Sequence, residues 1–297
     1  MAVTRRYNVV IIGGGSAGFE QAAGRDAVSS NYAYHLAPAT WDFLRSTTKG
    51  TAVFGQPNGA IKCAGAPQKI AYLACDYWRR QGILDDIDVH LVLPTSGMFG
   101  VPEFSRILEQ VADRYGITMH FDSEVDAGAR EAVVRGLKSD ATVRLPYDVM
   151  HLVPPQSAPD WIRTGPPADP ASSAGYVEVD KHTLAHVRYP NVFSLGDVAD
   201  TPNSKTGAAV RHQAPVVVEN LRAVLAGRAP TARYDGYASC SVTTARDRML
   251  LAEFDCTMRP APSIPILDTT REHRDFGLLK KVGLPTLYWN FMLRGLA

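Results

Sequence analysis

The sequence predicts an α/β fold built on a parallel sheet. Two observations carry this. Short apolar runs alternate with helix-length segments through the middle of the chain, and the first such run, Val9-Val-Ile-Ile12, is followed at once by Gly13-Gly-Gly15-Ser-Ala-Gly18. The chain has 297 residues, long enough for two domains, with 31 Lys plus Arg against 30 Asp plus Glu. A net charge of +1 carries no electrostatic signature of a nucleic-acid partner. No run approaches the ~18 apolar residues of a membrane span. The Arg5-Arg6 pair before Val9 precedes a run too short for a signal peptide, so the start reads as a strand rather than a targeting sequence.

Gly13, Gly15 and Gly18 form Gly-x-Gly-x-x-Gly directly after a strand, the setting of a dinucleotide fingerprint. Gly13 permits the tight turn, Gly15 admits a pyrophosphate to the backbone, and Gly18 lets the next helix pack closely. A complete unit would continue into a second strand ending in an acid about 20 residues on. Val28 to Pro38 holds neither an apolar run nor an acid, so the nucleotide site opens and is not finished.

Alternation then resumes. Thr51–Phe54 is expected as a strand, Pro67–Arg80 as a helix, Asp88–Leu93 as a strand, Pro102–Tyr115 as a helix and Gly116–Phe121 as a strand. Glu131–Val134 and Ala141–Leu145 suggest a small antiparallel piece, and Asp148–Val153 a buried strand stopped by Pro154-Pro155. Pro154 to Ala174 reads as a loop or crossover. Asn191–Leu195 is expected as a further buried strand with Asp197 at its carboxyl end, where open sheets bind ligands. Asp197 is placed there to accept hydrogen bonds from ligand hydroxyls, or to serve as a turn residue. Thr206–Leu225 reads as a helix with a kink at Pro215. Lys205-Thr206-Gly207 opens it, and its N-terminus would favour negative charge on a reduced flavin ring, an oxyanion or a phosphate. Arg248–Glu253 is strand-like.

Four cysteines are too few for a disulfide scaffold. Cys63 precedes a helix between Lys62 and Lys69, features that favour a thiolate, although the same residue would serve as a small buried hydrophobe. Cys240 falls in an apparent Gly-containing turn, Tyr234 to Cys240, while Cys75 and Cys256 read as structural. The eight histidines show no zinc-ligand spacing, so no metal is expected. From Phe276 to Ala297 the chain carries Lys280, Lys281 and Arg294, no acid, and a dense Leu287-Tyr-Trp-Asn-Phe-Met-Leu293 core. That composition suits either shallow insertion at a membrane interface or a terminal helix packed on the core.

Ile61-Lys-Cys-Ala-Gly-Ala-Pro-Gln-Lys-Ile70, Tyr189-Pro-Asn-Val-Phe-Ser-Leu-Gly-Asp197, Pro202-Asn-Ser-Lys-Thr206, Tyr234-Asp-Gly-Tyr-Ala-Ser-Cys240, Leu251-Ala-Glu-Phe-Asp255 and Tyr288-Trp-Asn-Phe-Met-Leu-Arg-Gly295 together resemble the sulfide:quinone oxidoreductases, closest to the mitochondrial branch. The resemblance implies an FAD enzyme with two Rossmann-like (three-layer ββα) domains, the first incomplete here, and a C-terminal membrane-associating region. It divides the chain into an N-terminal fragment of the FAD domain (1–27), a second Rossmann-like domain (28–153), a return segment of the FAD domain (154–228), and a redox-cysteine, quinone and membrane region (229–297). The family's redox cysteines fall on Cys63 and Cys240. Sulfide would attack the bridged pair, leaving a persulfide on Cys240. Cys63, nearer the flavin, would pass two electrons to FAD and on to quinone, and the sulfane sulfur would leave on an acceptor. Asp197 looks like the FAD-ribityl contact and Lys205 to Gly207 like the segment beside the isoalloxazine. Localisation would be peripheral to a membrane, of the cytoplasmic or mitochondrial-inner-membrane type. In the family the rest of the first FAD unit follows the glycine loop; its lack here implies an internal deletion, weak FAD retention and poor stability. The alternatives are a type II NADH dehydrogenase-like flavoenzyme, which needs no distant cysteine pair, and an inactive relative.

Overall fold

The computed structural model describes residues 27–128, 130–264, 266 and 268–296. Gly13, Gly15 and Gly18 lie outside these residues. In chain order the first elements are β1 (Val28–Ser29), α1 (Ala37–Ser46), β2 (Gly50–Gly55), α2 (Ala66–Gln81), β3 (Ile87–Val92), α3 (Pro102–Tyr115) and β4 (Thr118–His120). They are followed by β5 (Ser123–Ala127), β6 (Glu131–Gly136), β7 (Thr142–Pro146) and β8 (Val149–Leu152). Strands β1, β8, β2, β3 and β4 form one parallel sheet in that order, and β5, β6 and β7 form an antiparallel sheet.

The period-two alternation of the parallel strands divides their side chains between two cores. Ala52, Phe54, Val89, Leu91 and Val149 point into the core shared with the helices, against Tyr72, Trp78, Phe104 and Leu108. Val53, Val92 and Met150 point the other way, onto Val134 and Ala132 of the antiparallel sheet. The result is a three-layer stack of helices, parallel sheet and antiparallel sheet. Each fully buried large side chain contributes about 1.5–3 kcal/mol. Helix α3 begins and ends where its chemistry requires: Pro102 occupies the first turn, where no N–H partner is lost, and Gly116 at φ 67° takes the left-handed C-terminal position. Trp78 Nε1 donates to the Leu44 carbonyl at 2.9 Å, tying α2 to the end of α1.

Beyond the stack lie α4 (Asp160–Arg163), β9 (Val177–Glu178), β10 (Ala199–Asp200), α5 (Gly207–Leu225), β11 (Ala238–Ala245), β12 (Arg248–Phe254), α6 (Arg274–Leu278) and α7 (Leu284–Asn290). β9 and β10 are a short parallel pair, and β11 and β12 an antiparallel hairpin whose apolar face, Val242, Leu250, Ala252 and Phe254, joins the helical core.

Four expectations are corrected. Asn191–Leu195 is not a buried strand: Asn191 is exposed, and its described partner is the 184–186 segment through the Ala185–Phe193 bridge. Asp197 therefore sits in a 3₁₀ turn, Gly196–Val198, rather than at a strand end. Cys240 lies within strand β11, not in a turn, because the Ala238, Cys240, Val242 alternation buries one face of a polar-looking run. The stretch from Val28 to Pro38, read as holding no apolar run, supplies the edge strand β1 and the start of helix α1.

Candidate active site

Three segments distant in sequence converge around Cys63, which lies at the wall of a cavity. The loop after β2 runs beside the start of α5: Lys62 and Lys205 form a parallel bridge, and the Cys63 N–H donates to the Lys205 carbonyl at 2.8 Å. Cys63 adopts φ 52°, in the left-handed region, and its carbonyl accepts the Ala66 N–H that opens α2. The hairpin β11–β12 packs on α2 and carries Cys240, fully buried opposite Ala252. The two sulfurs, 177 residues apart in the chain, stand 2.9 Å from each other as free thiols. Gly65 makes the approach possible, since a Cβ there would lie 2.9 Å from the Cys240 sulfur and 2.6 Å from Val242 Cγ2.

The pair is electrically asymmetric. The hydrogen bond from the Cys240 thiol, opposed by burial and assisted by Lys69, lowers Cys63 to about 6. Lys69 Nζ stands 3.7 Å from Cys63 Sγ. Cys240 is held well above the ordinary thiol range, first by sharing its proton with Cys63 and then by burial. Burial works against the Lys69 ammonium, but the two sulfurs outweigh it and its pKa rises. Of the two sulfurs Cys63 is thus the one that favours the thiolate, and Cys240 keeps the proton. Cys75 is the contrasting case, buried inside α2 with its thiol pushed up by desolvation.

Cys63 lines a cavity of about 480 Å³, within the ~300–1,000 Å³ of small-molecule sites. Its walls include Lys62, Lys69, Asp197, Lys205, Thr206 and Gly207, so the structure gathers Cys63 and all four expected contacts from the return segment into one place. Thr206 caps α5 by accepting the Ala209 N–H at 3.1 Å, which leaves the first helical turn facing the cavity with its positive dipole end. Lys205 is mostly buried: its ammonium donates to the Ala199 carbonyl and lies 3.8 Å from the Tyr176 ring centroid. Burial pulls it down to about 8, against the raising effect of Asp200 and Asp197. Asp197 is exposed at the cavity rim.

The donor set fits the flavin end of FAD. Cationic side chains and a helix N-terminus suit an acceptor-rich ring edge, and the Asp197 carboxylate suits ribityl hydroxyls. The lining residues that the sequence did not mark include Tyr32 and His151; the hydroxyl of Tyr32 and Nδ1 of His151 are buried without a partner among the described residues. Burial, then Cys63 and Cys240, raise the Tyr32 hydroxyl, which keeps its proton. The signal for His151 was a histidine inside the apolar run Val149–Leu152, at the carboxyl end of a parallel strand.

At the C-terminus α6 anchors on β12 through Phe276 and Gly277, both buried. The end of α6 and the turns that follow leave Leu278, Val282, Trp289, Phe291, Leu293 and Leu296 exposed. Lys280 reaches back to donate to Ser241 Oγ at 3.0 Å, beside Cys240. Among the described residues no helix is long and apolar enough to cross a membrane.

No protein-family model matches the chain. It is 39% identical over 282 residues to the mitochondrial sulfide:quinone oxidoreductase of Dictyostelium discoideum, covering 94% of this chain and 61% of that protein. It is 38% identical over 272 residues to the enzyme of the same name from Mus musculus, covering 90% of this chain and 60% of the relative. The sulfide:quinone oxidoreductase structure from Aquifex aeolicus superposes with a TM-score of 0.72 at 18% identity, over 93% of this chain and 67% of that one, a likeness of fold. The chain spans about three fifths of the length of the curated relatives it matches. Over nine tenths of its own length, then, this chain is a relative of the mitochondrial sulfide:quinone oxidoreductases.

Proposed function

We propose that the chain oxidises sulfide to sulfane sulfur through Cys63 and Cys240 and delivers the electrons by way of FAD to a quinone. The observation that carries this reading is the 2.9 Å approach of two cysteines from opposite ends of the sequence at the wall of a flavin-sized cavity. Sulfane sulfur leaves to an acceptor nucleophile. When bound, FAD supplies the two-electron acceptor beside Cys63.

The residues divide the work by their electrostatics. In the bridged state hydrosulfide attacks Cys240; the Cys63–Cys240 bond breaks, its electron pair leaves on Cys63, and the entering sulfur becomes a persulfide on Cys240. Cys63 is the better leaving group because the Lys69 ammonium, 3.7 Å from its sulfur, stabilises the departing thiolate. Transfer of the sulfane sulfur to the acceptor frees Cys240, and re-forming the bridge releases two electrons and the thiol proton. The sulfide sulfur thereby loses two electrons and the quinone gains two. Lys69 and Lys280 surround the pair with positive charge that favours entry of the hydrosulfide anion. The exposed aromatic C-terminus holds the protein at a membrane interface where quinone dissolves. Because Val28 to Pro38 supplies no ribose-binding acid, FAD is held weakly.

The test is the visible spectrum of the purified chain incubated with FAD and titrated with sulfide, then with a water-soluble quinone. Bleaching and recovery of the flavin band in the wild type, lost in Cys63→Ser and Cys240→Ser, is expected. Undiminished turnover in either variant, or a wild type that takes up no flavin, overturns the reading.

A further inference from the structure

His151 stands on β8, in register with Ser29 of β1 and Phe54 of β2, where the parallel strands end at the cavity. Its ring is 2% exposed. Nε2 accepts the backbone N–H of Asn31 at 3.1 Å, and an acceptor nitrogen carries no hydrogen, so in the neutral ring the hydrogen is on Nδ1. That Nδ1–H has no partner among the described residues. A buried donor left unpaired is costly, and the same cavity wall holds a second unpaired group, the Tyr32 hydroxyl. The other charged walls are Lys62, Lys69 and Lys205, with Asp197 alone offering a carboxylate. A wall so rich in donors is complementary to a ligand edge made of acceptors, as the nitrogens and carbonyls of an isoalloxazine are.

We infer that His151 is a positioning residue for the flavin, donating its Nδ1–H to an acceptor atom of the ring. The inference rests on the proposed flavin site. Burial lowers the ring to about 4, so it stays neutral across the working range and serves as a donor of fixed tautomer rather than a base. The Asn31 contact explains how the ring is oriented: it holds Nε2 from behind, along the backbone after β1, and aims Nδ1 forward.

Two substitutions separate the two nitrogens. His151→Asn sets an amide donor near the Nδ1 position and gives up the Asn31 acceptor; His151→Gln keeps an acceptor near Nε2 and gives up the forward donor. FAD dissociation constants are measured by quenching of flavin fluorescence on the apo full-length chain, with the wild-type ring followed in parallel by nitrogen-15 histidine resonances. Flavin positioning predicts that Gln weakens FAD about tenfold, that Asn binds clearly tighter than Gln, and that the wild-type Nδ1–H resonance moves on adding FAD while Nε2 stays unprotonated. A purely structural role predicts the reverse order of the variants and an unmoved Nδ1–H signal, and either result overturns the inference. The wild-type resonance decides the matter if neither variant folds. A wild type that takes up no FAD overturns the flavin reading itself, which is distinct from a wild type that binds FAD with His151 unmoved.

Discussion

Replacing the partners of Cys63 one at a time should move its titration in a definite order. The ordinary thiol titrates near ~8.5, and Cys63 near 6. At ~1.36 kcal/mol per pH unit the difference is about 3–4 kcal/mol in favour of the thiolate. The Cys240 hydrogen bond is its largest cause, and Cys240→Ala removes that while leaving the opposing burial in place. The Cys63 midpoint should then rise to ~8 or above. Cys240→Ser keeps a hydroxyl donor and should fall between. An ammonium 3.7 Å away contributes at least about 1 kcal/mol even at the dielectric of water, so Lys69→Met should raise the midpoint by about one unit or more. The assay is alkylation by iodoacetamide across pH 4–10, on reduced protein, with Cys63 read by peptide mass to exclude Cys75 and Cys256. The midpoint is the proper readout, since a thiolate of lower pKa is intrinsically less nucleophilic and rates at one pH partly cancel. A wild-type midpoint near 8.5, or a Cys240→Ala midpoint still near 6, would refute the electrostatic account of the pair.

Three further outcomes follow from the geometry. Gly65→Ala sets a Cβ 2.6 Å from Val242 and 2.9 Å from the Cys240 sulfur; it should cost about 1–3 kcal/mol and lower the yield of the Cys63–Cys240 crosslinked peptide under oxidised glutathione, and an unchanged yield would contradict the role given to Gly65. Trp78→Ala, which empties a fully buried site and frees the Leu44 carbonyl, should lower urea-unfolding stability by about 3–5 kcal/mol. The unfolded chain binds a proton at His151 near ~6.5, whereas the folded chain takes it up only near 4. The folded state therefore loses stability as pH falls through that window, by at most ~1.4 kcal/mol per unit from this residue, and His151→Gln should flatten the slope in denaturant titrations from pH 7 to 4.

Legibility in the sequence followed local chemistry. Pro102 and Gly116 punctuate a strongly amphipathic run, so α3 was readable to the residue. Helix α1 was not, because Ala37-Pro-Ala-Thr40 carries little apolar pattern and its burial depends on Leu44 meeting Trp78 of α2. Strand β11 was masked by its composition, Ala-Ser-Cys-Ser-Val-Thr-Thr-Ala, in which only the buried alternation marks a strand. Asn191–Leu195 erred the other way, an apolar run read as a sheet strand that pairs with little beside it. At the site, Cys63 was suggested by its own neighbours, but its pairing with Cys240 came from resemblance alone. No spacing rule links residues that meet through a parallel bridge on one side and a hairpin on the other.

The left-handed backbone at Cys63 sets a preference that the thiol overrides. At φ 52° a side chain costs roughly 1–2 kcal/mol that glycine avoids, so the fold by itself would choose glycine here. Cys63→Gly should accordingly be at least as stable as Cys63→Ser, since it relieves the backbone and deletes the sulfur together. Packing of the Cys63 side chain against the helical core offsets part of that strain, so the stability difference between Cys63→Gly and Cys63→Ser measures how far the fold itself supports a side chain at this turn.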